Sequence, residues 1–85
     1  MGNLSRKELE EMVSQIIQRI TGLDADEIKT EDHFYQDLGI DSIKGIELAV
    51  GLQDKFKIIL DDMVIPKLVN VKLVVDELEP LLNNK

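Results

Sequence analysis

The chain has no cysteine and no tryptophan, and its only aromatic residues beside His33 are two phenylalanines and one tyrosine. Lack of cysteine excludes disulfides and thiolate metal sites, so any thiol chemistry must use a thiol brought in from outside the sequence. Scarcity of rings means that the core of this 85-residue chain must be aliphatic. A domain of that size buries roughly 60–65% of its unfolded surface, which is enough for one modest core. No apolar run approaches the ~20 residues of a membrane span. The opening Met1-Gly2-Asn3-Leu4-Ser5 lacks the basic and then apolar pattern of a secretory signal, so a single cytoplasmic domain over residues 1–85 is expected. Positive charge is also in short supply, with 10 basic against 17 acidic residues and a formal net charge of −7. Between Asp24 and Asp54 stand nine acids against Lys29 and Lys44, so that segment carries the whole imbalance. Nucleic acid is disfavoured as a partner by this sign. A protein presenting a basic patch is favoured.

What is present is helical period. Ser5 and Glu8 fit a capping box, and Leu4 with Leu9 fits its hydrophobic staple. Leu9, Met12, Val13, Ile16, Ile17 and Ile20 then form one stripe that ends before Gly22, predicting a first helix over about 5–21. A second helix is expected over about 42–56, from Ile43, Ile46, Ala49, Val50 and Phe56. Within it Gly45 lies in the apolar arc and suits a close approach by another segment, whereas Gly51 falls on the polar side without an evident role. Asp61 or Asp62 would cap a short third helix running through Ile65 and broken around Pro66. Asn70 would cap the last helix, with Val71, Val74, Val75, Leu78 and Leu82 on one face, and Pro80 would end or kink it before a loose tail at 83–85. Strand-like alternation is absent. The expected fold is all-α, a small bundle of three long helices plus one short one.

Between the first two helices, residues 23–40 show no sustained period, only single apolar anchors at Leu23, Ile28, Phe34, Leu38 and Ile40. So long a loop, pinned at intervals, reads as an ordered presentation of a site. It ends in Asp37-Leu38-Gly39-Ile40-Asp41-Ser42-Ile43-Lys44. Asp41 and Ser42 are both capping types, which places Ser42 at the first helical position or one before it. A hydroxyl there faces solvent beside free backbone N–H groups and the positive end of the helix dipole, where a phosphate ester is stabilised.

The run Asp32-His33-Phe34-Tyr35-Gln36-Asp37-Leu38-Gly39-Ile40-Asp41-Ser42-Ile43 resembles the attachment-site signature of acyl carrier proteins and their polyketide and peptidyl relatives. The resemblance extends to the stripe of the first helix, Glu47-Leu48, the Leu52 to Phe56 end of the second helix, the Asp-rich start of the third and the closing apolar helix. It implies that Ser42 receives a 4′-phosphopantetheine arm from coenzyme A through a Mg²⁺-dependent phosphopantetheinyl transferase. It implies further that acyl groups ride on the arm's thiol as thioesters, delivered to acyl-transferring and acyl-modifying synthase enzymes by a monomeric carrier without catalysis of its own. Asp41 would be the flanking acid read by the transferase, and Asp37, Ile43, Lys44 and Glu47 the face read by partners. Lys44 stands where many fatty-acid-synthesis carriers have an acid. Gly39-Ile40-Asp41-Ser42-Ile43-Lys44 looks more like carriers of polyketide or polyunsaturated-fatty-acid systems, and Met63 to Val69 is unusually apolar for the family.

Competing readings of the same residues are weaker. A nucleophile elbow needs glycine two positions either side of the serine, where this chain has Ile40 and Lys44, and the only base is His33 in the loop. Asp24-x-Asp26 has Ile28 at the next ligand position and lacks the glycine of a calcium loop, so no metal site is expected beyond loose cation association. The alternatives to an acyl carrier are an aminoacyl or peptidyl carrier, and a non-catalytic acidic helical adaptor in which Ser42 is only a cap.

Overall fold

Helix α1 (Arg6–Thr21) starts as its capping box dictates. In the computed structural model, which describes residues 4–83, the Glu8 N–H donates to Ser5 Oγ at 3.1 Å while the Ser5 N–H donates to Glu8 Oε1 at 2.8 Å. The helix closes on Gly22, which takes a left-handed φ of 80° and returns its N–H to the Gln18 carbonyl at 2.8 Å. Leu9, Val13, Ile16 and Ile17 are buried, and Met12, Ile20 and Leu4 pack against the core they begin. This stripe meets both other helices. At its start Arg6 reaches α3 (Val71–Asn83), donating from one guanidinium nitrogen to Glu79 Oε1 at 2.9 Å and from another to Asp76 Oδ1 at 2.6 Å. The Arg6 hydrogen bond holds the Asp76 carboxyl below the usual carboxylate range, and the nearby charges of Lys72 and Arg6 act in the same direction.

Helix α2 (Ser42–Phe56) buries Leu48, Leu52 and Phe56, so of the residues whose spacing marked this helix only Phe56 is buried and the inward face turns towards Leu48 and Leu52. Ile43, Ile46 and Val50 are 68%, 66% and 58% exposed, so that row faces solvent. The role missing for Gly51 comes from the same rotation. It faces α1, and a Cβ built on it would lie 3.1 Å from Ile16 Cγ2, so the helices touch at a point where an added methyl would force Ile16 to give by a few tenths of an ångström. Helix α2 ends on Lys57 in the left-handed conformation (φ 57°), and the Gln53 side chain accepts from the Leu60 N–H at 2.7 Å, pinning residues 58–60 back onto the helix. Ile58-Ile59-Leu60 forms no strand: Leu60 turns into the core and Ile59 is 88% exposed.

The short third helix does not form. Asp61 starts it as expected, accepting from the Val64 and Ile65 N–H groups at its carbonyl and from the Met63 N–H at its side chain. Beyond this turn there is only a single 3₁₀ turn, Ile65–Lys67. Pro66 has no N–H to give the carbonyl four residues back, and so short a turn has no further helix to carry the lost bond, so it closes as a 3₁₀ turn. The described fold is therefore three helices joined by structured loops, with no strand among the described residues. Asn70 caps α3, its Oδ1 accepting from the Leu73 N–H at 2.8 Å. Pro80 does not end α3, which continues to Asn83, while Asn84 and Lys85 of the expected tail lie outside the described residues.

The loop between α1 and α2 is ordered by both side chains and backbone. Asp24 and Glu27 build a capping box around a 3₁₀ turn, Ala25–Glu27. Phe34, Leu38 and Ile40 are buried. The Phe34 N–H donates to the Val69 carbonyl at 2.7 Å, and the Lys72 N–H donates to the Thr30 carbonyl at 3.0 Å, which tie the loop to the approach and first turn of α3. His33 is a cap rather than a bare surface residue: its Nδ1 accepts from the Tyr35 and Gln36 N–H groups at 3.2 and 3.3 Å, and its own N–H donates to Asp37 Oδ2 at 2.7 Å. Gly39, at φ 70°, then reverses the chain so that Ile40 turns inward and Asp41 arrives at the mouth of α2.

Candidate functional site

Asp41 is the N-cap of α2, with extended backbone and Oδ1 accepting from the Lys44 N–H at 2.8 Å. That fixes Ser42 as the first helical residue, exposed, its side chain without a hydrogen-bond partner among the described residues. The other two serines are engaged in α1: Ser5 Oγ caps the helix, and Ser14 Oγ accepts from Gln18 Nε2 at 3.3 Å. Among the described residues, only Ser42 therefore sets a free hydroxyl at a helix N-terminus, where unpaired backbone N–H groups favour an added anion. Had its oxygen been turned into the core, no docking enzyme could have reached it.

Ser42 also stands at one end of a groove between α2 and the 62–66 turn, lined by Gly45, Ile46, Ala49, Val50 and Gln53 on the helix and by Tyr35, Asp62, Ile65 and Pro66 opposite. The helical members fall three, four, seven, eight and eleven residues after Ser42, which is one face continuing the serine's own. Counting helical positions forward from Ser42 finds them, although the attachment-site signature pointed only to Ile43, Lys44 and Glu47 on this helix. Ile43 and Glu47 are exposed and Lys44 half-buried, on the flanks of Ser42 rather than in the groove. Asp37 is exposed but has one carboxylate oxygen engaged by the His33 N–H. His33 Nδ1 is likewise taken up by two backbone N–H groups, and among the described residues no hydrogen bond joins His33 to Ser42. Among the described residues no cluster of His, Asp or Glu is arranged to hold a metal ion.

An exposed, unpartnered serine at a helix mouth beside a mixed apolar groove matches the needs of a tethered arm, and comparison with known proteins gives the family. The phosphopantetheine attachment site family profile matches residues 11–78, covering most of α1, the loop, Ser42 and most of α3. The chain belongs to the acyl carrier protein family. It is 36% identical over 75 residues to the acyl carrier protein of Thermobifida fusca strain YX, covering 88% of this chain and 95% of that one. It is 37% identical over 68 residues to the acyl carrier protein of Nitratidesulfovibrio vulgaris strain DP4, covering 80% of this chain and 90% of the relative. A third, from Cyanidium caldarium, is 28% identical over 82 residues, covering 96% and 95%. Carriers of this family bear covalent 4′-phosphopantetheine and have no catalysis of their own.

Proposed function

We propose that this carrier bears its arm on Ser42 and shuttles acyl intermediates of fatty-acid or polyketide-type assembly between soluble synthase enzymes. The observation that carries the reading is the single unengaged serine hydroxyl, held out at the start of α2. On attachment, Ser42 Oγ bonds to the phosphorus that joins pantetheine to the nucleotide in coenzyme A. The pyrophosphate bond breaks, adenosine bisphosphate leaves, and the hydroxyl proton passes to a base on the transferase. The arm then supplies the thiol that the cysteine-free chain lacks.

The chain's own residues do the rest. The Asp41 cap holds the first turn of α2 rigid under the phosphodiester, and the free N–H groups there offset its negative charge. Ile46, Ala49, Val50, Ile65 and Pro66 offer the arm an apolar bed, with Gln53 and Asp62 as polar contacts. Asp41 and Glu47, exposed on either side, attract transferase and synthases with basic patches and set a transient, salt-sensitive encounter. A single soluble, cytoplasmic monomer suits that exchange. No described helix is long and apolar enough to cross a membrane.

Incubation with coenzyme A, Mg²⁺ and a promiscuous phosphopantetheinyl transferase tests the reading by intact mass. Wild type should gain one arm and Ser42→Ala none. No gain by wild type would leave the acidic adaptor as the better account.

A further inference from the structure

Beneath the groove at Ser42 lies a second concavity, and the two share a wall. The deeper cleft is lined by Phe34, Ile40, Leu48, Leu52, Leu60, Leu68 and Val74, and it meets the groove at Tyr35, Gly45, Ala49 and Ile65. Helix α2 contributes only Gly45 and Ala49 to this wall, so it presents almost no side chain there. The gap is filled from the loop. Tyr35 lays its ring over Gly45, with Oη 3.3 Å and Cε1 3.9 Å from the point a Cβ would occupy. Gly45 lies three residues beyond Ser42, about 4.5 Å along the helix axis, so the ring stands directly beside the start of any attached arm.

Two further observations define what this ring does. The cleft behind it has about 20 Å³ of free space, room for a single water and for no chain of methylenes. Tyr35 is 49% exposed, and its hydroxyl has no hydrogen-bond partner among the described residues, so ring packing alone keeps it in place. We propose that Tyr35 is a shutter that keeps a straight-chain apolar acyl cargo in the surface groove and out of the core, making it a specificity-determining residue. The inference rests on Ser42 as the attachment point. Cargo held outside the core stays open to partner enzymes, whereas a smaller residue at 35 vacates the ring's own volume, joins groove to cleft and lets the chain thread inward past Gly45 and Ala49.

The test uses the full chain with the arm attached, carrying either a free thiol or an octanoyl thioester, in wild type, Tyr35→Phe, Tyr35→Ala and Tyr35→Leu. Attachment is first checked by intact mass, and then methyl NMR and thermal melts are recorded. In wild type and Tyr35→Phe, octanoyl should move the methyl signals of Ile46 and Val50 but not of Leu48, Leu68 or Val74, and leave Tm within about 1 °C. In Tyr35→Ala the Leu48, Leu68 and Val74 methyls should shift and Tm should rise by about 5 °C or more on loading. Tyr35→Leu keeps an apolar side chain too short to cover Gly45, and gives the same result should Tyr35→Ala fail to fold. Equal shifts at Leu48, Leu68 and Val74 in wild type and variants would overturn the shutter while leaving Ser42 as the attachment point. So would their absence in both small variants. A missing arm in every protein would overturn the attachment reading and the shutter with it.

Discussion

Two glycines in one helix should respond to the same substitution with opposite signs. Gly45 and Gly51 both sit inside α2, where replacing glycine by alanine gains about 0.8–1.0 kcal/mol of helix propensity. At Gly45 the new methyl meets the Tyr35 hydroxyl at 3.3 Å, the far end of a half-exposed side chain that need shift by only a few tenths of an ångström while its ring stays in place. Most of the gain survives, so Gly45→Ala should stabilise the fold by about 0.5–1 kcal/mol. At Gly51 the methyl arrives 3.1 Å from Ile16 Cγ2, on a side chain only 5% exposed and fixed within α1. Ordinary carbon contacts are about 3.5–4.0 Å, so either the helices part by roughly 0.5 Å or Ile16 leaves its rotamer. Overpacking of this kind costs about 1–3 kcal/mol and outweighs the propensity gain, leaving Gly51→Ala destabilised by about 1 kcal/mol. Urea unfolding monitored by far-UV circular dichroism measures both, and thermal melts should show shifts of opposite sign, each about 4–8 °C per kcal/mol. Adding Ile16→Leu, which removes the offending γ-methyl, should recover about 1 kcal/mol in a double-mutant cycle. Equal stabilisation by both alanines would refute the claim that α1 and α2 touch at Gly51.

Asp41→Ala removes the acceptor for the Lys44 N–H and should cost about 1 kcal/mol in urea unfolding, while Asp41→Asn should restore most of it. Glu47→Lys reverses an exposed charge near Ser42 and should slow arm transfer roughly 2- to 5-fold at low ionic strength, the gap closing as salt approaches about 1 M. A rate and salt dependence unchanged from wild type would rule out the acidic recognition face. The Arg6 hydrogen bond lowers the Asp76 carboxyl in the folded state, so the unfolded chain binds more protons as pH falls. The stability lost in Asp76→Asn should therefore be present at neutral pH and shrink as pH drops below the ordinary carboxylate range towards the lowered value. Denaturant midpoints at a series of pH values check this, and a difference independent of pH would contradict it.

Local signals in the sequence proved sufficient wherever one residue type has one use. Ser5 with Glu8, Gly22 and Asn70 mark helix ends through their own side chains or backbone, and all three ends stand where they were expected. Asp41 and Ser42 were legible for the same reason, since a capping acid defines the residue after it. Helix α2 was harder because it carries two apolar rows, Ile43-Ile46-Val50 and Leu48-Leu52-Phe56, both at helical spacing. Period alone does not say which row faces α1. Reading the apolar arc from Ile43, Ile46, Ala49, Val50 and Phe56 put Gly51 on the polar side, whereas three residues after Leu48 it flanks the second row and meets Ile16. The missing third helix was a contest between the cap at Asp61 and Pro66, and one proline without a donor outweighs one well-formed turn. Tyr35 over Gly45 depends on the path of the whole loop, set by the tie from Phe34 to Val69, and no local pattern encodes that.

Of the chain's three serines, two are spent on the architecture of α1 and one is held free at the mouth of α2. Fragmentation mass spectrometry of the digested wild-type carrier, after reaction with coenzyme A and a transferase, reads directly which of them is esterified. All of the arm's mass should fall on the peptide fragment containing Ser42, with Ser5 and Ser14 unmodified. An arm found on Ser5, on Ser14 or on any other side chain would contradict the account.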